Sequence, residues 1–81
     1  MKIPRDISAT NLINKLGKIG YTISRQKGSH IRLTKQLVNK ELHITIPNHN
    51  HLKIGTLNNI LNSLSINEKI TKDKVIEILF S

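Results

Sequence analysis

His30 is the side chain of this sequence best placed to do chemistry, because it follows a glycine in the run Lys27, Gly28, Ser29, His30, Ile31, Arg32, Leu33. The run joins a backbone bend, an imidazole that exchanges its proton near neutral pH, and two cations able to hold a phosphate. Such a group suits cleavage of an RNA phosphodiester. A base takes the proton of a 2′-hydroxyl, its oxygen attacks the neighbouring phosphorus, and an acid protonates the departing 5′-oxygen. The phosphate oxygens gain charge on the way and need fixed donors, which Lys27, Arg32 and the backbone N–H groups around Gly28 can supply. Ser29 adds a hydroxyl donor or simply shapes the turn. Spacing alone also permits a plainer reading, in which His30 is an exposed strand residue beside a glycine turn.

Other residues offer less. His43 shares its strand's polar side by parity, and His49 follows Pro47. Either could act as a second acid, but a polar-face residue and a loop residue bonded to backbone are the simpler readings. Lys53 and Gly55 stand at the start of an expected helix, where free N–H groups favour a phosphate, although Gly55 also reads as a tight fit at a helix start. The chain has no cysteine. His43, His49 and His51 have no nearby Asp, and Pro47 separates the first two, so neither a metal site nor a cofactor is expected.

Thirteen Lys and Arg against five Asp and Glu give a net charge of +8, which favours a polyanionic partner such as nucleic acid or an acidic protein. After Ser65, Lys69, Lys72 and Lys74 balance Glu68, Asp73 and Glu77, so the excess lies in the first 65 residues. With Tyr21 and Phe80 the sole aromatics, base-stacking platforms are not expected, and RNA would be held by its backbone and shape. A length of 81 residues allows one small domain. The start, Met1 to Asp6, has no apolar run, and no stretch reaches the roughly 20 apolar residues of a membrane span. The expectation is a soluble, cytoplasmic protein with no membrane partner.

These residues need elements to place them. Ser8 stands as an N-cap before Leu12, Ile13, Leu16 and Ile19, which predicts an amphipathic helix over about 8–19, ended by Gly20. Tyr21 to Arg25 and Ile31 to Leu33 alternate as a hairpin, with Ile23 facing inward. A three-residue loop of Gln26, Lys27 and Gly28 would set Ile23 opposite Ile31, Ser24 beside His30 and Thr22 beside Arg32. Leu42, Ile44 and Ile46 predict a third strand ended by Pro47. If Asn39 and Lys40 form its turn, Leu33 pairs with Ile46 and His49 approaches His30. Leu57, Ile60, Leu61 and Leu64 predict a second helix. A polar break over Ser65 to Thr71 and a short third helix from Thr71 or Lys72 follow, the latter packing on the domain or on a partner.

The predicted class is therefore α+β, with α-β-β-β-α order. A three-stranded antiparallel sheet carries helices on one face and leaves the other face polar and basic, as in the double-stranded-RNA-binding domain. Residues 1–81 are read as one domain, with a core over 3–64 and a helical tail over 65–81.

One set of segments, in order, resembles the HicA-type toxins. These are Ile3-Pro4-Arg5-Asp6-Ile7-Ser8, Leu12, Gly20-Tyr21, Arg25 through Leu33, Thr45-Ile46-Pro47-Asn48-His49 and Gly55-Thr56-Leu57. The Gly-Ser-His and Ile-Pro-Asn-His stretches carry most of the specificity, and the resemblance spans residues 3 to about 64. It implies a bacterial toxin with a double-stranded-RNA-binding-like fold. It further implies that the toxin cleaves mRNA, uses the Gly-Ser-His histidine, here His30, as its catalytic group, and is neutralised by a HicB antitoxin. On that resemblance the catalytic reading of His30 outweighs the plainer one, with Lys27, Gly28, Ser29, Arg32 and Lys53 as RNA-binding candidates. A non-catalytic RNA-binding module is the other reading that the residues allow.

Overall fold

In the computed structural model, residues 3–81 are described. The first helix, α1 (Ala9–Gly17), begins where the sequence places its cap. Ser8 accepts the Asn11 N–H through its side chain, and the Asn11 side chain reaches back to the Ser8 N–H. Gly20, at φ +101°, turns the chain into the sheet. A Cβ there would also stand 3.3 Å from the Lys35 side chain, which lies across this turn.

Three strands follow in a meander, β1 (Thr22–Lys27), β2 (His30–Gln36) and β3 (Glu41–Pro47), with antiparallel pairing and spatial order β1-β2-β3. Ile31, Leu33, Ile44 and Ile46 are buried on one face, against Leu12 and Leu16 of α1 and Leu57, Ile60, Leu61 and Leu64 of α2 (Ile54–Glu68). The molecule is only 18 Å through its thinnest direction, the depth of one sheet and one helical layer. The other face of the sheet is therefore bare.

The third helix, α3 (Lys72–Phe80), packs on the chain itself. Thr71 caps it by accepting the Lys74 N–H, and Val75, Ile76 and Leu79 join the same core, each burial stabilising by about 2 kcal/mol. The expected polar break over Ser65 to Thr71 is largely helix. The second helix continues to Glu68 because that residue has work at its end: Glu68 accepts from Tyr21 Oη at 2.9 Å and from Lys35 Nζ at 2.7 Å. Lys69 then closes the helix in the left-handed conformation at φ 57°.

Both hairpin registers differ from expectation. The β1–β2 turn has two residues, Gly28 and Ser29, between the pair Lys27 and His30. Gly28 alone is at positive φ (+58°), the pattern of a type II′ turn, whose twist suits a tight hairpin. An unbroken ladder from that turn would set Ile23 opposite Thr34. Ser24 bulges instead and returns Ile23 to an apolar partner, Leu33 rather than Ile31. Ile23 nonetheless stays 54% exposed, as β1 is an outer strand exposed along its whole length. In the second hairpin, four residues, 37–40, separate Gln36 from Glu41, and Leu37 N–H bonds Lys40 C=O at 2.8 Å. Leu33 thus pairs with Ile44, and the shift by two residues preserves which side chains face the core. Among the described residues no helix is long and apolar enough to cross a membrane.

Candidate functional site

The bare face is a grid set by strand pairing, since residues directly opposite in an antiparallel sheet point the same way. Its first row is Lys27, His30 and Pro47; its second is Arg25, Arg32 and Thr45; its third is Thr22, Thr34 and His43. His30 is exposed in the middle strand, next to the turn. Lys27 stands beside it and the two arginines lie one row away. Three cations thus share this end of the face with one imidazole, and among the described residues the carboxylate of this face, Glu41, lies at the opposite end beside His43.

The turn is held as well as tight. Ser29 C=O accepts from Asn48 N–H at 2.6 Å, which fastens the loop after β3 to the turn before His30. That loop is fastened in turn to α1, through Ala9 N–H to His49 C=O at 2.9 Å and Leu52 N–H to Ile7 C=O at 2.8 Å. A Cβ on Gly28 would meet nothing within 4 Å. The glycine is required by its φ, and the space over the turn is open to a ligand.

Of the residues singled out from sequence, Lys27, Gly28, Ser29, His30 and Arg32 come together at this corner. Lys53 is not on the sheet; it occupies the N-cap position of α2, beyond the loop after Pro47, with no side-chain capping bond. The register that drew His49 toward His30, with Leu33 opposite Ile46, is not the one observed; Pro47 stands opposite His30, and His49 lies two residues on in the loop. Ser24 and Thr22 do not stand beside His30 and Arg32 as expected. Lys27 and Arg25 do, because the turn lies at Gly28 and Ser29, one residue later than expected, and pairs Lys27 with His30. Arg25 is the residue that sequence reasoning missed, because its place depends on the turn position and on a bulge at Ser24 that alternation alone does not specify.

His43 has a defined environment. Arg32 Nε donates to its Nδ1 at 3.3 Å, Thr34 Oγ1 lies 3.0 Å from the same nitrogen, and Ser24 Oγ lies 2.7 Å from Thr34 Oγ1. Since arginine only donates, Nδ1 accepts and the ring proton sits on Nε2, 3.6 Å from Glu41 Oε1. His43 is thereby a support for Arg32. His51 Nδ1 lies 3.3 Å from Asp6 Oδ1, away from the grid.

Behind the sheet, Tyr21 is the one strongly perturbed group among the described residues. Burial pushes its phenol up to about 12, Asn67 acts in the other direction through a hydrogen bond, and Glu68 adds to the rise by accepting the phenol proton and by its charge. The Lys35 ammonium, 5.7 Å from the Tyr21 ring centroid, completes this junction between the start of β1 and the end of α2.

No curated protein and no solved structure matches the chain at a significant level. The family model for the HicA toxin of bacterial toxin-antitoxin systems matches residues 9–66, a span that includes α1, the whole sheet and most of α2. The chain belongs to the HicA toxin family.

Proposed function

We propose that this toxin is a metal-independent endoribonuclease that cleaves mRNA at the Lys27–His30–Arg32 corner of the sheet, and that a HicB-type antitoxin neutralises it by covering that corner. The observation that carries the reading is the placement of an exposed imidazole among Lys27, Arg25 and Arg32, on a face free of core contacts. Membership of a toxin family makes an activity that damages the cell the natural use of such a face. The domain is read as the whole chain, residues 1–81.

His30 is assigned as general base. It removes the 2′-hydroxyl proton of a bound strand, the 2′-oxygen bonds to phosphorus, and the bond from phosphorus to the 5′-oxygen breaks, the departing oxygen taking a proton from water. Arg25, Arg32 and Lys27 donate to the non-bridging oxygens as their charge grows, and the N–H groups of the Gly28–Ser29 turn are placed to add to them. His43 is not assigned as the acid, because it stands two rows from His30 and holds Arg32 instead. Because the attacking oxygen belongs to the RNA, the products carry 2′,3′-cyclic phosphate and 5′-hydroxyl ends. No activated water is needed.

The test is cleavage of RNA by purified protein, with and without EDTA, followed by analysis of the new ends. The expected result is EDTA-insensitive cleavage with 5′-hydroxyl ends, lost in His30→Ala. Ends bearing 5′-phosphate, or loss of activity in EDTA, would favour a metal-activated water instead. RNA binding without cleavage in the wild-type protein would leave the non-catalytic binding module.

A further inference from the structure

Beside the basic corner lies a groove of a different chemical character. It runs between the outer edge of β3 and α2, has a volume of about 420 Å³, and is lined by His43, Thr45, Pro47, Thr56, Asn59 and Ser63 with Ile44 and Ile60 at its floor. On α2 the polar members recur at helical spacing, Thr56, Asn59 and Ser63, and the next residue of that stripe is Asn67. Asn67 Nδ2 donates to the His43 backbone carbonyl at 3.1 Å, so the outward backbone groups of β3 come within hydrogen-bond reach of this side of the helix. Two residues further on, the outward N–H and C=O of Thr45 open into the groove, since β3 has no strand on that side.

Resting on the reading of this protein as a ribonuclease, we propose that the groove is a nucleobase subsite, which takes one unstacked base of the RNA strand whose phosphate lies at His30 and so selects where the toxin cuts. Three features carry this. The lining has no lysine, arginine or carboxylate, which argues against a phosphate and for an uncharged ligand. Its amide, hydroxyls and paired backbone donor and acceptor match the alternating donors and acceptors of a base edge, while Ile44, Ile60 and Pro47 offer apolar surface to the ring faces. The groove is also continuous with the cleavage corner, because Pro47 lines it and stands opposite His30 in the sheet.

The volume falls in the range of small-ligand sites and accommodates a nucleoside. The lack of aromatic residues in the lining leaves selection to hydrogen bonds. A base that fits the donors and acceptors is cut quickly, and one that leaves them unpaired is rejected.

The experiment uses the full chain and a set of single-stranded RNA oligonucleotides that differ in one base on either side of the cut. Wild-type protein, Asn59→Ala and Ser63→Phe are compared; both positions are exposed on α2, so neither change removes a core contact. The expected result is a wild-type preference for one base at a fixed position beside the cut. Asn59→Ala reduces that preference about tenfold, the scale of one lost base-edge contact, while cleavage of disfavoured sequences persists. Ser63→Phe fills the groove and removes the preference. An unchanged preference in both variants, with the wild type still cutting RNA, would overturn the subsite and leave the ribonuclease intact. Normal cutting preference with loss of antitoxin binding would overturn it too, making the groove a protein-docking edge. Failure of the wild type to cut any RNA would instead strike the underlying reading.

Discussion

Arg32 donates from Nε to Nδ1 of His43 at 3.3 Å, a diagonal contact between neighbouring strands that aims the guanidinium along the bare face of the sheet. The contact separates two histidines that sequence parity leaves equivalent. His30→Ala is expected to keep the fold and to lower cleavage by about 10²–10⁴-fold, the usual weight of a general base. His43→Ala is expected to cost about tenfold, through a less ordered Arg32. Circular dichroism with cleavage rates checks both, and equal losses in the two variants would contradict the division of roles.

If Lys27, Arg25 and Arg32 act through phosphates, as proposed, their effect should be visible in salt. Affinity for a single-stranded RNA is expected to fall as salt rises, and each of Lys27→Ala, Arg25→Ala and Arg32→Ala should reduce the logarithmic slope by about 0.7. Lys53→Ala, outside the grid, should change the slope least. The measurement is a fluorescence-anisotropy titration at several salt concentrations, using His30→Ala as the background so that the RNA survives.

The antitoxin should cover the same grid. Charge reversal at Arg25, which protrudes from an outer strand, is expected to slow association with an acidic antitoxin more than it speeds dissociation. Stopped-flow or surface-binding kinetics would show it. An antitoxin that leaves the His30 corner exchanging hydrogen freely would contradict the assignment.

Tyr21 is the chain's one tyrosine, so its titration can be read directly by phenolate absorbance. Its phenol is pushed up to about 12 in the fold, from an ordinary value of 10.0. The folded state therefore prefers the protonated form. That contribution is complete below pH about 10 and is lost as pH rises from about 10 to about 12, a change of about 2–3 kcal/mol. Glu68→Gln should bring the midpoint only part of the way back, because burial is the larger cause. A return to the ordinary value would show that Glu68 dominates.

Much of the fold follows from patterns that the sequence displays openly. Ser8 before Leu12 and Leu16, the alternation of Ile31 with Leu33 and of Leu42, Ile44 and Ile46, and the spacing of Leu57 to Leu64 are all periodic, and periodicity survives small errors in register. The α+β class and the polar face at His30 follow from them. The neighbours of His30 do not. They depend on whether the first hairpin turns at Lys27 or at Ser29 and on an extra residue at Ser24, and several turn and bulge combinations satisfy the same alternation. That is why Arg25 was hidden while Arg32, on the same strand as His30, was visible. The length of α2 was hidden for another reason. Ser65 to Glu68 is polar in sequence, and its helicity depends on Tyr21 and Lys35, far away in the chain.

The meander joined by turns of two and four residues has a consequence for the order in which the molecule assembles. Its strand contacts are short-range, whereas α3 reaches α1 only by bringing together segments near opposite ends of the chain. Ring closure of that size is entropically late, so the sheet with α1 and α2 should form the nucleus and α3 should dock last. Leu79→Ala should then cost about 2–4 kcal/mol, almost all of it as faster unfolding. Leu33→Ala, inside the nucleus, should slow folding itself.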